Sequence, residues 1–388
     1  MNILFVFSHE MKPNTGGVQR VTEALSNELI KRGSRVFYIS LFAGENEVFN
    51  GIEQLTLPNK DNLDAHENTN FYCKILKQNS IEIIINQNGF SIKELNFIKK
   101  NNVLGSKIIS VHHNCVQCLN DQYHNIYLPT LKSKGLDSFF NNKLGWYLLK
   151  KIHKFRFGKE IKKTIELSDR VVLLSNKFKI ELSYYLSNFD DSKIVSISNP
   201  CPFTVHDLDF SQKQNRIIYV GTVKMEQKRV DRLIDIWSIV KNNFPDWEFD
   251  ILGVGNYKKE LERIVVQNDI DRVNFLGHQD PRTYLQRSKI LLLVSDFEGF
   301  GMVLIEAQAY GVVPITFDCF AAAHDIVLHN ESGIVVNNFD INEFASKLQT
   351  LMKDEIDLSN KSRKAYDHAK KFGIEQITDK WMNLFMTI

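Results

Sequence analysis

Short β-branched and aliphatic runs alternate with helical stretches along the whole chain, which predicts an α/β protein built on doubly wound parallel sheets. Two observations carry this. The strand candidates are apolar without alternation, as in Asn2–Phe7 (NILFVF) and Ile290–Val294, the pattern of parallel strands covered on both faces. The strand–helix order then restarts after Asn199-Pro200-Cys201-Pro202 and a polar stretch to Asn215, which predicts two Rossmann-like halves.

The first half opens with strand Asn2–Phe7 and a helix over Val18–Arg32, whose apolar Val18, Val21, Leu25 and Leu29 recur at helical spacing. Arg32-Gly33 ends that helix, and Arg35–Leu41 is the next strand. Further strands are expected at Glu82–Ile85, Lys107–Val111, Arg170–Leu174 and Lys193–Ile197. In the second half, strands are expected at Arg216–Val220, Glu248–Leu252, Arg272–Leu276, Lys289–Val294 and Val312–Thr316. Helices fall over Val230–Lys241, Asn256–Val266, Met302–Tyr310, Ile341–Met352 and Leu358–Lys371. The domain boundary is placed after residue 203, giving 1–203 and 204–373.

Composition narrows the function classes. Hydrophobic residues make up 43% and charged residues 24% of 388, so the chain can bury large cores without disulfide or metal staples. Collagen-like, disordered and disulfide-scaffold classes are excluded. A net charge of +2 is too balanced for a protein that coats nucleic acid. Five cysteines, an odd number and few for the length, point to a reducing cytoplasm. MNILFVFSHE has no basic n-region and only a short apolar run, so it reads as a buried strand, not a leader. No run approaches the roughly 18 apolar residues of a membrane-spanning helix.

The strongest chemical signal is Ser295-Asp296-Phe297-Glu298-Gly299-Phe300-Gly301-Met302-Val303-Leu304-Ile305-Glu306. A buried strand ends, a glycine-bearing turn follows, and a helix begins, at the strand end where this fold binds ligands. Glycines let backbone approach a phosphate, and the new helix offers N–H groups and a positive dipole. Glu298 and Glu306 would repel a phosphate, so sugar hydroxyls are the better partners for them. A plain first-turn charge and a surface glutamate are the competing account. Gly16-Gly17 similarly opens the Val18 helix, as an anion loop or an ordinary turn. His112 and His113 stand at the carboxyl end of Lys107–Val111, as functional groups or as packed rings.

Glu298 and Glu306, with seven residues between them inside EGFGMVLIEAQAYGVVPI, resemble the E-x7-E signature of retaining GT-B glycosyltransferases of family 4. The resemblance runs over nearly the whole chain. It includes Gly16-Gly17-Val18-Gln19-Arg20, Ser168–Ser175, Asn199-Pro200, Gly221 to Leu233, Leu252-Gly253-Val254-Gly255, Phe275-Leu276-Gly277 and Ser332–Val336. It implies a GT-B fold, two Rossmann-like domains facing a cleft, with the last helix (374–388) returning to the N-terminal domain. The N-terminal domain would be the acceptor side and the C-terminal domain the nucleotide-sugar donor side. Glu306 would bind nucleotide ribose, Glu298 the donor sugar, and the N–H groups of Phe300, Gly301 and Met302 the diphosphate. Gly16 and Gly17 would meet the diphosphate or the acceptor. His112, or alternatively His113, would touch the donor sugar near the reacting carbon.

After Gly221 the family carries an arginine and, some residues on, a lysine. Lys228 fits the lysine, whereas Thr222 stands at the arginine position; Lys224 is a candidate substitute as a point charge. The implied activity is sugar transfer from a nucleotide-diphosphate sugar to a glycan or lipid-linked acceptor in cell-surface polysaccharide synthesis, with no metal and no cofactor. A nonenzymatic partner subunit and a nucleotide-sugar epimerase of similar shape are the alternatives. A dinucleotide oxidoreductase is disfavoured by the lack of a complete G-x-G-x-x-G after the first strand. Cys115-Val116-Gln117-Cys118 lacks a second pair for zinc, and Asp207-Leu208-Asp209 lies in the linker, reading as a surface turn.

Residues 143–163 form the one strongly biased stretch. Lys143, Lys150, Lys151, Lys154, Arg156, Lys159, Lys162 and Lys163 surround a single acid, Glu160, with Trp146, Tyr147, Leu148, Leu149, Ile152, Phe155 and Phe157 interleaved. A basic amphipathic helix of this kind suits an anionic membrane surface, and equally a solvated domain face.

Overall fold

The computed structural model describes the chain except residues 13–15, 43, 45–46, 50, 118–122, 141, 204–206 and 338, and the side chains of 47, 49, 123–126, 129 and 139. The chain divides into two compact units, Met1–Pro200 with Ile374–Ile388, and Cys201–Gly373.

The first unit holds β1 (Asn2–Phe7), β2 (Arg35–Ser40), β3 (Glu47–Phe49), β4 (Ile52–Thr56), β5 (Ile83–Asn86), β6 (Lys107–His112), β7 (Arg170–Leu173) and β8 (Ile194–Ser196). Their order is β3-β4-β2-β1-β5-β6-β7-β8, parallel throughout except for β3 against β4. The chain reverses direction of growth at β1, which pairs with both β2 and β5, so the switch point lies there. Side chains on the two faces of β1 enter different cores. Ile3, Phe5 and Phe7 pack with Leu25, Leu29, Trp381 and Phe385, whereas Leu4 and Val6 pack with Tyr72, Leu76 and Phe97. Helix Ile374–Met386 is held on helix Gly17–Lys31 by that first core and by Arg32, which bonds the Asp379 carboxylate and the Glu375 carbonyl.

The second unit holds β9 (Arg216–Val220), β10 (Glu248–Leu252), β11 (Val273–Gly277), β12 (Ile290–Leu293), β13 (Val313–Phe317) and β14 (Ile334–Val336), ordered β11-β10-β9-β12-β13-β14 and all parallel. Here the switch point is between β9 and β12. Its core centres on the fully buried Trp237, tilted against Phe249 with its indole N–H on the Asp271 carbonyl. Asp250, a carboxylate in the middle of β10, is buried but bonded by Arg216 through both oxygens at 3.0 Å and by Asn274. A buried charge persists only when paired in this way.

The expected strands sit within about one residue of their positions, whereas β3, β4 and β14 were not expected, and the Asp207–Asp209 turn does what a linker turn should. Asp209 accepts from Ser211 N and Oγ, capping a single 3-10 turn. Helix Lys143–Leu167 departs from the expected amphipathic pattern. Leu149, His153, Phe157, Ile161 and Ile165 are buried, yet Leu144, Tyr147, Leu148, Ile152 and Phe155 face outward with the lysines.

Two glycines are demanded by close approach. A Cβ on Gly253 would stand 1.8 Å from the Gly221 carbonyl oxygen, and one on Gly255 would stand 2.0 Å from that of Val223. The segment after β10 therefore presses against the segment after β9, joined by Gly221 N on the Leu252 carbonyl and Val223 N on the Val254 carbonyl. The G-x-G at 253–255 serves backbone packing. Gly253→Ala is expected to destabilise the protein by about 1–3 kcal/mol or more through overpacking, read as a lower urea midpoint at unchanged slope.

Candidate functional site

Functional groups collect at the carboxyl end of each switch point, one set per unit.

In the second unit, the segments after β9 and β12 are tied together. Asp296 N donates to the Gln227 carbonyl at 2.7 Å, and Gln227 Nε2 to the Phe297 carbonyl at 3.3 Å. This fixes Lys228 against Glu298. Lys228 Nζ lies 2.6 Å from Glu298 Oε1, and Ser295 Oγ donates to the same oxygen at 2.6 Å. Glu298 is 7% exposed and Ser295 fully buried, so the carboxylate's position is set by both. Tyr219, behind it, donates to the Thr222 carbonyl at 2.9 Å. Burial, with the charge of Glu298 adding to it, pushes that phenol far above its ordinary range.

Three residues later the chain turns into helix Met302–Ala309. Gly301 makes the turn at φ 79°, left-handed, and a Cβ there would stand 2.7 Å from the Phe320 ring. The first amides of that helix lack intrahelical acceptors and aim a positive dipole out of its N-terminus. Phe300 is buried beneath the turn, and Glu306 lies within the helix at 2% exposure. Arg232 braces the site. Its guanidinium donates to the Val294 carbonyl, pairs with Asp296 at 2.8 Å and lies over the rings of Phe317 and Phe339. Thr222 is exposed and Lys224 half-buried.

In the first unit, a cavity of about 550 Å³ opens at the ends of β5 and β6. Gln87, Asn88, Phe90, Lys93, His112, His113, Asn114, Phe157 and Glu160 are among its lining residues, with Val18 from the first helix. Asn88 is held by a polar network. It accepts from Ser8 Oγ and donates to Asn86 Oδ1, while Asn86 donates to Ser110 Oγ. His112 stacks on Phe90 at 4.2 Å, and Phe90 meets Phe157 edge-on. His113 Nε2 contacts Gln87 Oε1. His112 Nε2 and His113 Nδ1 are buried with no hydrogen-bond partner among the described residues. Burial lowers His112 to about 3 and His113 to about 4. Both rings are therefore neutral at physiological pH, each offering a donor and an acceptor.

The residues named from sequence thus fall into two groups. Lys228, Glu298, Phe300, Gly301, Met302 and Glu306 gather in the second unit, with Gly221, Thr222 and Lys224 on the facing segment after β9. His112 stands in the first unit's cavity. Gly16 and Gly17 open helix Gly17–Lys31, but residues 13–15 before them lie outside the described residues. Ser295, Arg232, Gln87, Asn88, Phe90 and Glu160 were given no site role from the sequence. Gln87–Phe90 follow β5 directly, so the strand-end rule that picked out His112 applies to them too. Among the described residues no cluster suits a metal ion. Cys115 is disulfide-bonded, where the sequence pointed to reduced thiols; Cys118 lies outside the described residues.

Residues 204–372 match the model of the family glycosyl transferases group 1, which spans nearly all of the second unit. The chain as a whole is similar to an uncharacterized glycosyltransferase of Haemophilus influenzae, 26% identical over 379 residues and 96% of each chain. Among solved structures it resembles the lipopolysaccharide outer core galactosyltransferase WaaB in its apo form, with a TM-score of 0.71 at 18% identity over 100% of both chains. It also resembles Anabaena HepE in complex with UDP-glucose, with a TM-score of 0.70 at 14% identity over 100% of both chains. The fold is GT-B.

The buried imidazole of His112 has a consequence for stability. Its folded pKa of about 3 lies below the ordinary 6.5, so the unfolded chain binds the proton first as pH falls. Stability is full above about pH 6.5 and is lost as the pH falls from there toward 3, at up to about 1.4 kcal/mol per pH unit for one ring. Urea titrations at several pH values should show this slope, and His112→Gln should reduce it. An unchanged slope in the variant would assign the acid sensitivity elsewhere.

Proposed function

We propose that the chain transfers a sugar, with retention of anomeric configuration, from a nucleotide-diphosphate sugar to a hydroxyl of a glycan or lipid-linked acceptor during cell-surface polysaccharide synthesis. The observation that carries this is the Lys228–Glu298 pair beside the N-terminus of helix Met302–Ala309, with Glu306 buried on the same helix. An ammonium and a helix N-terminus suit a diphosphate, and two carboxylates suit the hydroxyls at its ends. The retaining family 4 assignment, through the E-x7-E spacing of these glutamates, belongs to this proposal. The UDP-glucose held by the similar HepE favours a uridine nucleotide.

On the donor side, Glu306 takes the ribose hydroxyls, Glu298 the sugar, and Lys228 with the amides of Phe300, Gly301 and Met302 the diphosphate. Positive charge for the leaving group then comes from the protein, and no metal is required. The acceptor oxygen bonds to the anomeric carbon on the face from which the diphosphate leaves, as the bond from that carbon to the diphosphate oxygen breaks and the acceptor's proton passes to a phosphate oxygen, which gives retention without a covalent enzyme intermediate. On the acceptor side, the first unit's cavity offers amides (Gln87, Asn88, Asn114), neutral imidazoles and the rings of Phe90 and Phe157. That set suits the hydroxyls and apolar face of a sugar ring.

Thr222 favours one second reading, a glycan- or nucleotide-binding partner subunit without turnover, since an arginine at that position would contribute a bidentate phosphate contact. Calorimetry with UDP-, GDP- and ADP-sugars in the presence of a chelator separates the two. Saturable binding of one nucleotide class, lost in Glu306→Ala, is expected. With the paired donor, Lys228→Ala should lower kcat by about 10²–10³-fold, the cost of removing one positive contact to a developing anion. No binding by any member, with binding restored in Thr222→Arg, would favour the partner subunit.

A further inference from the structure

The outward side of helix Lys143–Leu167 is unlike any ordinary solvated surface. Leu144, Tyr147, Leu148, Lys151, Ile152, Phe155, Lys159 and Lys162 recur at spacings of three, four and one, which place them on one stripe of the helix. Leu144 is 68% exposed and Phe155 63%, and Tyr147, Leu148 and Ile152 are exposed with them. The exposed cations Lys151, Arg156, Lys159, Lys162 and Lys163 lie among or beside these side chains. Lys151 Nζ sits 5.4 Å over the Tyr147 ring, and Lys159 Nζ 4.2 Å over that of Phe155. Two acids share this part of the helix. Glu166 closes the far end, 4.0 Å from Lys162, and Glu160 is among the cavity-lining residues.

We propose that this stripe lies flat on an anionic phospholipid bilayer. Charge decides the occupant. Lysine and arginine interleaved with exposed aromatic and aliphatic side chains match a surface that is negative above and apolar below. A second copy of the chain would bring the same cations against themselves, which like-charge repulsion disfavours. No helix among the described residues is long and apolar enough to cross a membrane, so the contact is peripheral. The opposite side of the same helix supplies Phe157 and Glu160 to the first unit's cavity. A helix is about 10–12 Å across, so a bilayer under the stripe brings its headgroups within about a helix width of that cavity. This last step rests on the acceptor reading above; the membrane contact itself does not.

The test is co-sedimentation of the full chain with vesicles of equimolar phosphatidylglycerol and phosphatidylcholine, and with phosphatidylcholine alone, at low and high salt. Binding should require the anionic lipid and weaken with salt. Replacing Lys151, Lys159 and Lys163 together by glutamine should lower affinity about a hundredfold, at about fivefold per cation. Leu144→Ser with Phe155→Ser should weaken binding as well while leaving the urea midpoint unchanged, since both side chains are exposed. Equal binding to neutral vesicles, or binding indifferent to both sets of substitutions, overturns the proposal. So does a wild-type dimer that the Leu144→Ser, Phe155→Ser pair makes monomeric, because the stripe then belongs to a second copy. Nucleotide-sugar binding is measured without lipid, so failure of either proposal leaves the other's result readable.

Discussion

A parallel strand buried on both faces has no side chain left for solvent, and this constraint governs where the molecule can do chemistry. β1, β5 and β6 in the first unit and β9, β12 and β13 in the second are apolar almost throughout. Polar and charged groups are displaced to the strand ends, and at the switch points two adjacent strands feed connections that run to opposite sides. The two candidate sites stand at those ends. Asp250, the one charged residue buried in mid-strand among the described residues, is tolerated because Arg216 and Asn274 neutralise and bond it where it lies.

Within the second unit, three devices shape that edge into the candidate site. Gly253 and Gly255 allow the β10 segment to press on the β9 segment, which supports the loop bearing Lys228. The Gln227 contacts bind this loop to the one after β12. Ser295 and Lys228 then hold one carboxylate oxygen of Glu298 from two sides. The carboxylate is thus positioned before any ligand arrives, the condition under which electrostatic stabilisation is most effective. In the first unit the corresponding device is aromatic: Phe90 stacks on His112 and leans on Phe157, and burial keeps the imidazoles neutral.

Helix Lys143–Leu167 shows why composition and structure can part company. Its lysines and aromatics read as one amphipathic pattern, a basic face opposite an apolar one. In the fold the apolar residues are divided. One set packs inward beside the cavity and the other remains outside among the cations. A helix that is apolar on two sides has two jobs, and only packing against its neighbours shows which residues belong to each.

The sequence by itself determined the order of most strands, the two-unit layout and most of the residues that gather in the second unit's candidate site. These signals are local. An apolar run without alternation means a strand covered on both faces, and a glycine turn opening a helix means an anion-receptive terminus whatever surrounds it. Glu298, Glu306 and Lys228 were legible for that reason. Tertiary structure alone decided that Ser295 and Lys228 share one oxygen of Glu298, that Arg232 braces Asp296, and that Gln87, Asn88 and Glu160 meet His112 around a cavity. Most of those groups come from segments separated by tens of residues in the chain, as Lys228 from Glu298 and Gln87 from Glu160. Their meeting depends on which strands become neighbours and how far each loop can approach the next, quantities set by the packed sheet and not written in any one segment.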